Sequence, residues 1–316
     1  MCKKFIQMSR NFTIEESFEI FKTECLTRGL SSETIRWYNE TIKFFSDFHN
    51  INNSVDSLDE KLISDYIIFC FNKGNKKSTI NNRLIAIKSF LNWLYKTNKI
   101  KEKVDINLIK DKQVVKDTYT QDELEKLLRK PDIHTCDFTE YRDWVISNLF
   151  LSVACRVATL VNIKIKDLDL KNCELLYTHT KNCKEQIIPL TKYMTSILKE
   201  YLTYRKGSKD DFLFCNRYSE PLTKNALRIS LNKYNKRRGV SRTGRHIYRN
   251  TFAKIWILNG GDAFRLQKIL GHSTMEMTKR YIEMYSDDLK VDMENFNPIN
   301  SVIKNKKVRI KMKKYN

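Results

Sequence analysis

The sequence is poor in chain breakers. Its 316 residues include 8 glycines and 4 prolines, and none of the prolines precedes Pro131. Average usage of the two together is about 12%, so this scarcity excludes a collagen-like chain and argues against sandwiches and barrels, which need frequent turns. Long helices are expected instead. A cysteine framework is missing too: the eight cysteines are scattered, with no CxxC pair and no Cys–His cluster at zinc spacing. They read as reduced, half-buried thiols of a cytoplasmic protein. No stretch approaches the ~18 uninterrupted apolar residues of a membrane span, and the N-terminal MCKKFIQMSRNFTIEE has no apolar signal core. Acid is in deficit, with 58 Lys and Arg against 37 Asp and Glu. The net charge of +21 makes a polyanion the expected partner, nucleic acid ahead of a membrane surface. A hydrophobic content of 41% excludes wholesale disorder, and the length allows two or three domains.

What is present is helical periodicity. Apolar residues recur at helical spacing over 14–27, 33–50, 59–73 and 78–96, with cap residues Thr13, Ser31, Asp59 and Ser78 at the four starts. This predicts a four-helix bundle over 1–96. Residues 97–117 lose the period and read as an extended linker. A further helix starts at Thr120, and another covers 140–155. The period then changes at ELLYTHT (174–180) and EQIIPL (185–190), two short strands joined by a turn with Lys181 and Lys184 at its ends. Pro189 belongs at a strand end or sheet edge. Helices are expected over 191–205, 223–238, 245–258, 262–270 and 274–283, and residues 298–316 form a basic tail.

Between 221 and 261 stand ten basic residues and no acid. A merely solvated face interleaves both signs, so this segment is expected to face a polyanion. No Gly-rich phosphate loop, HExxH or Ser–His–Asp candidate is visible. The informative residues are HIYRNTFA (246–253), LGHS (270–273) and TKRY (278–281). On one helix His246 and Arg249 are three apart and share a face, presenting an imidazole and a guanidinium together, an arrangement suited to phosphate.

These segments are similar to boxes of the tyrosine recombinases of the phage-integrase and Xer class. HIYRNTFA resembles HxLRHTFA, LGHS matches its own box, TKRYIE resembles the TxxY box, VACRVATL (153–160) resembles TGLRxxEL, and THTKNCKEQIIPL resembles GKGxKxRxVPL. The resemblance covers nearly the whole chain, and five boxes in the right order and spacing make it specific. The resemblance implies a mainly α fold with a small antiparallel β-sheet: a SAM-like, four-helix core-binding bundle (1–96), a linker (97–117), a catalytic domain (118–297) and the tail (298–316), arranged as a two-domain clamp. It implies a site-specific recombinase working through a 3′-phosphotyrosyl link and a Holliday junction, integrating or excising a mobile element.

Residue by residue, the resemblance makes Tyr281 the nucleophile. Arg156 and Arg249 become the holders of the non-bridging oxygens, Lys181 the acid for the leaving 5′-oxygen with Lys184 as its alternative, His246 the aid to proton transfer and His272 a phosphate hydrogen bond. No metal and no cofactor are implied. DNA contacts are expected from Lys76, Lys77 and Arg83 in the first domain and from Lys224, Arg228, Lys233, Lys236, Arg237 and Arg242 in the second. Double-stranded DNA sites, a homo-tetramer on DNA, accessory directionality or host factors and a nucleoid-associated, cytoplasmic location complete the expectation, with no room before the first helix for a separate arm-binding domain. The tail is either a segment packing on a neighbouring protomer or a DNA-contacting arm. Three positions depart from the boxes: Thr159 stands where an acid is usual, Ala154 replaces the glycine two residues before Arg156, and Asn250 replaces the second histidine of HxLRH. The alternatives are a catalytically silent DNA-binding protein of the same fold and a topoisomerase-like nicking and resealing enzyme.

Overall fold

The computed structural model describes residues 12–110, 117–178 and 185–285. The expected tail, the N-terminal segment before Phe12 and the Lys181–Lys184 turn lie outside these residues. The chain forms two compact units, Met1–Val114 and Val115–Asn316.

In the first unit four helices, α1 (Ile14–Thr27), α2 (Ser32–Ser46), α3 (Glu60–Asn72) and α4 (Lys77–Lys96), pack around Phe18, Phe21, Phe45, Tyr66, Leu84 and Leu94. Thr13 and Glu16 close a reciprocal capping box, each hydroxyl or carboxylate accepting the other residue's N–H at 3.1 Å. Ser31 and Asp59 cap α2 and α3 in the expected way. Ser78 does not cap α4: the helix begins at Lys77 behind Lys76, which makes no side-chain cap bond. The turn before it is closed by Asn75 N–H on the Cys70 carbonyl and by Gly74 at φ +74°, so the chain re-enters a helix earlier than the cap signal implied.

Residues 97–102 form turns and bends and 103–110 carry no regular secondary structure, yet all of them belong to this unit. Ile100, Val104 and Ile106 are buried in its core. Asn81 brackets Ile109 with two bonds of 2.9 Å, and the Lys88 ammonium donates to the Ile106 carbonyl at 2.9 Å. Ile100, Val104 and Ile106, each set between polar neighbours, are the anchors of this strap.

The second unit is built round α6 (Phe138–Val153), whose residues from Tyr141 to Phe150 are all buried. Around it lie α5 (Gln121–Leu128), α8 (Lys192–Arg205), α9 (Lys224–Arg237) and α10 (Arg245–Leu258). A short α7 (Val157–Leu160) leads into an antiparallel sheet in the order β1 (Leu168–Asp169), β2 (Glu174–Tyr177), β3 (Gln186–Pro189), with Leu175 opposite Ile188. Pro189 ends the edge strand, where a missing N–H costs nothing. The two-residue β1 and the single-turn α7 had no sequence signal, since neither is long enough to show a period. Two helices, α11 (Ala263–Leu270) and α12 (Met275–Tyr285), join α10 around a small separate core of Ala154, Ala253, Leu266, Leu270 and Tyr281.

This unit buries many phenols. Burial pushes Tyr119 up to about 12, and raises Tyr177, Tyr201, Tyr234 and Tyr248 in the same direction. A group raised above its unfolded value contributes stability that is complete below that value, 10 for tyrosine, and is lost as pH rises beyond it. The urea midpoint is therefore expected to hold steady up to about pH 9 and to fall progressively above about pH 10. A flat profile to pH 11 would contradict this.

Candidate active site

Helix α6 ends at Ala154, which takes the left-handed conformation at φ 48° and turns the chain back on itself. Two residues on, Arg156 is the N-cap residue of α7, half-buried, with its guanidinium directed to the end of α11. There Gly271 is left-handed at φ +58°, and a Cβ on it would stand 3.6 Å from Arg156 Nη1. Arg156 Nη2 donates to the Gly271 carbonyl at 3.1 Å. Arg249, 7% exposed on α10, donates to two more carbonyls: Ala154 at 2.7 Å and Leu270 at 2.5 Å. Two helix C-termini thus offer carbonyl partners to the two arginines, as the negative ends of helix dipoles favour.

These partners hold both guanidinium groups without neutralising them. Among the described residues no carboxylate forms an ion pair with Arg156 or Arg249. Burial, followed by the neighbouring charge of Arg156, pushes Arg249 down to about 10, and burial lowers Arg156 as well. Both remain protonated at neutral pH. Two adjacent cations in a desolvated site raise each other's energy, and an anion bound between them would relieve that cost. A cavity of about 600 Å³ opens on them, lined also by Thr159, His272, Lys268 and, on its rim, the exposed Glu185.

Tyr281, on α12, is 4% exposed. Its hydroxyl donates to Asn250 Oδ1 at 2.9 Å. Burial raises its pKa, and Arg249 first and Arg156 after it oppose that rise. The His272 ring is parallel to that of Tyr281 within 8°, at 6.2 Å between centroids, and its Nδ1 is hydrogen-bonded to the Thr278 hydroxyl at 2.8 Å. Arg156, Arg249, His272 and Tyr281, spread over 126 positions of sequence, therefore meet in one place. His246 lies on α10 one turn before Asn250 and is exposed; it is not among the described residues lining the cavity. Lys181 and Lys184 lie outside the described residues. Gln186, which follows their turn, ties β3 to α11 by donating to the Lys268 carbonyl at 2.6 Å.

Thr159, which stands where an acid is usual, is buried, and the Gly271 carbonyl orients Arg156. The three carbonyls of Ala154, Leu270 and Gly271 were beyond sequence reasoning, because a main-chain oxygen has no residue signature. Asn250 did carry a signal, its departure from the histidine of the box. No cluster of three His, Cys, Asp or Glu side chains suited to a metal occurs among the described residues. Cys155, buried beside this site, has its thiol pushed up to about 12 by burial and is packing.

The basic surface residues are of two kinds. Lys224, Arg228, Lys233, Lys236 and Arg237 are exposed along α9, a helix without acids, and so are Lys76 and Lys77 at the start of α4. Arg83 and Arg242 are engaged by their own chain although Arg242 is exposed, and Arg228 also donates to Asn225 Oδ1 of its own helix at 3.0 Å. Arg83 lies 3.4 Å over the Phe44 ring and donates to Asn75 Oδ1 at 3.0 Å, and Arg242 donates to the Thr118 carbonyl at 2.7 Å. No helix among the described residues is long and apolar enough to cross a membrane.

Comparison with known proteins agrees with this geometry. Residues 117–287 match the Phage integrase family, and residues 22–98 match the Phage integrase, N-terminal SAM-like domain. A tyrosine recombinase XerC of Thermodesulfovibrio yellowstonii is 31% identical over 276 residues, covering 84% of this chain and 89% of the relative. A tyrosine recombinase XerD of Listeria monocytogenes is 27% identical over 283 residues, covering 86% and 94%. Among solved structures, the Tn1549 transposon integrase in complex with transposon right end DNA superposes with a TM-score of 0.73 at 19% identity, over 90% of this chain and 99% of that one. A lambda integrase dimer bound to a core site gives 0.70 at 17%, over 90% and 81%. The mainly helical fold with its small sheet is that of these integrases, and the chain belongs to the phage integrase family of tyrosine recombinases, enzymes of site-specific DNA cleavage and strand transfer.

Proposed function

We propose that Tyr281 cuts one strand of a duplex recombination site and that the chain rejoins it to a second site through a Holliday junction, as a homo-tetramer on DNA. The observation that carries this reading is the pair of arginines, one buried and one half-buried, un-neutralised and side by side, with a tyrosine hydroxyl against one of them. Such a pair suits a phosphodiester: its two non-bridging oxygens accept from Arg156 and Arg249, whose planar donors also stabilise the extra charge of the pentavalent transition state. The Tyr281 oxygen attacks phosphorus and the bond to the 5′-oxygen breaks, leaving a 3′-phosphotyrosyl link. The phenolic proton passes to the His246 imidazole, and Lys181 supplies a proton to the departing 5′-oxygen, which leaves as a hydroxyl. His272, its ring set by Thr278, donates to the phosphate. Rejoining reverses these transfers.

The exposed cations of α9 and of the α4 start suit duplex phosphates, and binding through them weakens with salt. We also assign the ends of a mobile element as the substrate sites, which excision from a plasmid carrying the coding region with its genomic flanks would test. Accessory directionality or host factors would show as a requirement for cell extract in that reaction.

A duplex nicked close to the cut site traps the cleaved state, because the short 5′ fragment diffuses away. The wild-type chain is expected to form a covalent protein–DNA adduct, and Tyr281→Phe to form none while binding the same duplex with unchanged affinity. Strand exchange between two duplexes then separates a recombinase from a nicking and resealing enzyme. No adduct on cognate DNA would mark a silent DNA-binding protein and overturn the reading.

A further inference from the structure

Asn250 occupies the position of the second histidine in the HxLRH box, and its side chain touches the tyrosine. We propose that Asn250 is the positioning residue for Tyr281, holding the phenol by its hydroxyl proton while being held itself by the main chain at Asp117. The inference rests on Tyr281 being the nucleophile.

Two bonds define the arrangement. Asn250 Nδ2 donates to the Asp117 carbonyl at 3.2 Å, and Asn250 Oδ1 accepts from the Tyr281 hydroxyl at 2.9 Å. The first bond orients the second. A carbonyl accepts only, so the amide end that faces Asp117 is the NH2, and the end that faces Tyr281 is the oxygen. An amide oxygen accepts only in turn, so the phenol has to be the donor. The proton of Tyr281 is thereby directed to α10, and the lone pairs of the phenol oxygen are left for Arg249, which acts on this hydroxyl from the neighbouring position of the same helix.

An amide cannot take up the proton, so Asn250 aligns the nucleophile without serving as its base. His246 lies four residues earlier, on the same face of α10. The five residues from His246 to Asn250 thus hold a proton-transfer group, a phosphate-binding group and a support for the nucleophile. A histidine at 250 could also accept from the phenol with one nitrogen and donate to Asp117 with the other. Asparagine does the same work without adding a titratable group at position 250.

The test uses the full chain labelled with carbon-13 at the ζ position of tyrosine, the Tyr281 resonance being assigned by its loss in Tyr281→Phe. In Asn250→Ala the free protein should show this resonance displaced. Adduct formation at saturating nicked duplex should slow by roughly tenfold, the scale of one lost hydrogen bond, with DNA affinity unchanged. Asn250→His should restore the rate to within about threefold and add a second ionisation near pH 6.5 to the rate profile. An unmoved Tyr281 resonance in Asn250→Ala, or cleavage at the wild-type rate, would overturn the inference. So would an equal loss in Asn250→Ala and Asn250→His accompanied by a lowered melting temperature. If the wild-type chain formed no adduct, the nucleophile reading would fall, while the resonance would still decide whether Asn250 holds the hydroxyl.

Discussion

Arg249→Ala is expected to lower the rate of covalent adduct formation by about 10³ while leaving the fold intact. Removing one preorganised donor from a site of developing negative charge typically costs 10²–10³ in rate, and Arg249 loses both a donor fork and a formal charge. Stability should respond far less, because two effects oppose. The Ala154 and Leu270 carbonyls lose their donor, at about 1–3 kcal/mol each if left dry. Against this, a desolvated cation beside Arg156 disappears, and the cavity of about 600 Å³ gives water access to the freed oxygens. The net change is expected to stay within about 2 kcal/mol. Arg249→Lys keeps the charge but not the fork, and should lose about 10². Single-turnover cleavage and urea denaturation of the same three proteins measure both quantities. A rate that fell only in proportion to a large loss of stability would place Arg249 in the fold alone.

Arg142→Met should have the opposite profile, a large loss of stability from a residue remote from the phosphate site. Arg142 and Asp143 are adjacent on α6, each side chain about 3% exposed, with Nη2 2.6 Å from the carboxylate. The same Nη2 donates to the Ser230 hydroxyl at 2.7 Å, Ser230 donates to Asp143, and Arg142 Nη1 donates to the Cys215 carbonyl at 2.9 Å. Breaking a buried pair by removing one partner typically costs about 3–5 kcal/mol, because the other charge is left uncompensated. Replacing both, as in Arg142→Met with Asp143→Leu, should recover most of the loss.

The dependence on pH identifies the cause. Burial raises the Asp143 pKa and Arg142 opposes that rise, so losing the arginine raises it further. A carboxylate raised above its unfolded value contributes stability below the ordinary range, and this is lost as pH rises through the folded value. The single variant should therefore be less impaired near pH 4 than near pH 8, as read from urea midpoints. Ser230 sits on α9, so the same variant should loosen the seat of the basic helix and weaken DNA binding. Normal stability at pH 8 would sink this account.

Most helices were legible because each carries a period and a cap. The apolar residues of 14–27 behind Thr13 and of 33–50 behind Ser31 are examples, and α1 and α2 begin at Ile14 and Ser32. Where those signals stop, the reading stops. Val157–Leu160 and Leu168–Asp169 are too short to repeat a pattern. Ala154 enters the left-handed region without the glycine that would have announced it. Ile100, Val104 and Ile106 looked like parts of a linker because burial against α4 is a property of the packed bundle and not of their spacing.

The sequence by itself determined the family, the order of the helices and the residue types able to hold and attack a phosphate, since these depend on side-chain chemistry and local periodicity. Only the tertiary structure decided that Arg156 is aimed by the Gly271 carbonyl, that Arg249 is buried against the ends of two helices, and that Asn250 holds the hydroxyl of Tyr281. The physical reason is that these contacts join positions far apart in the chain, largely through main-chain oxygens that every residue possesses. Their direction exists only once helix ends have been packed against one another.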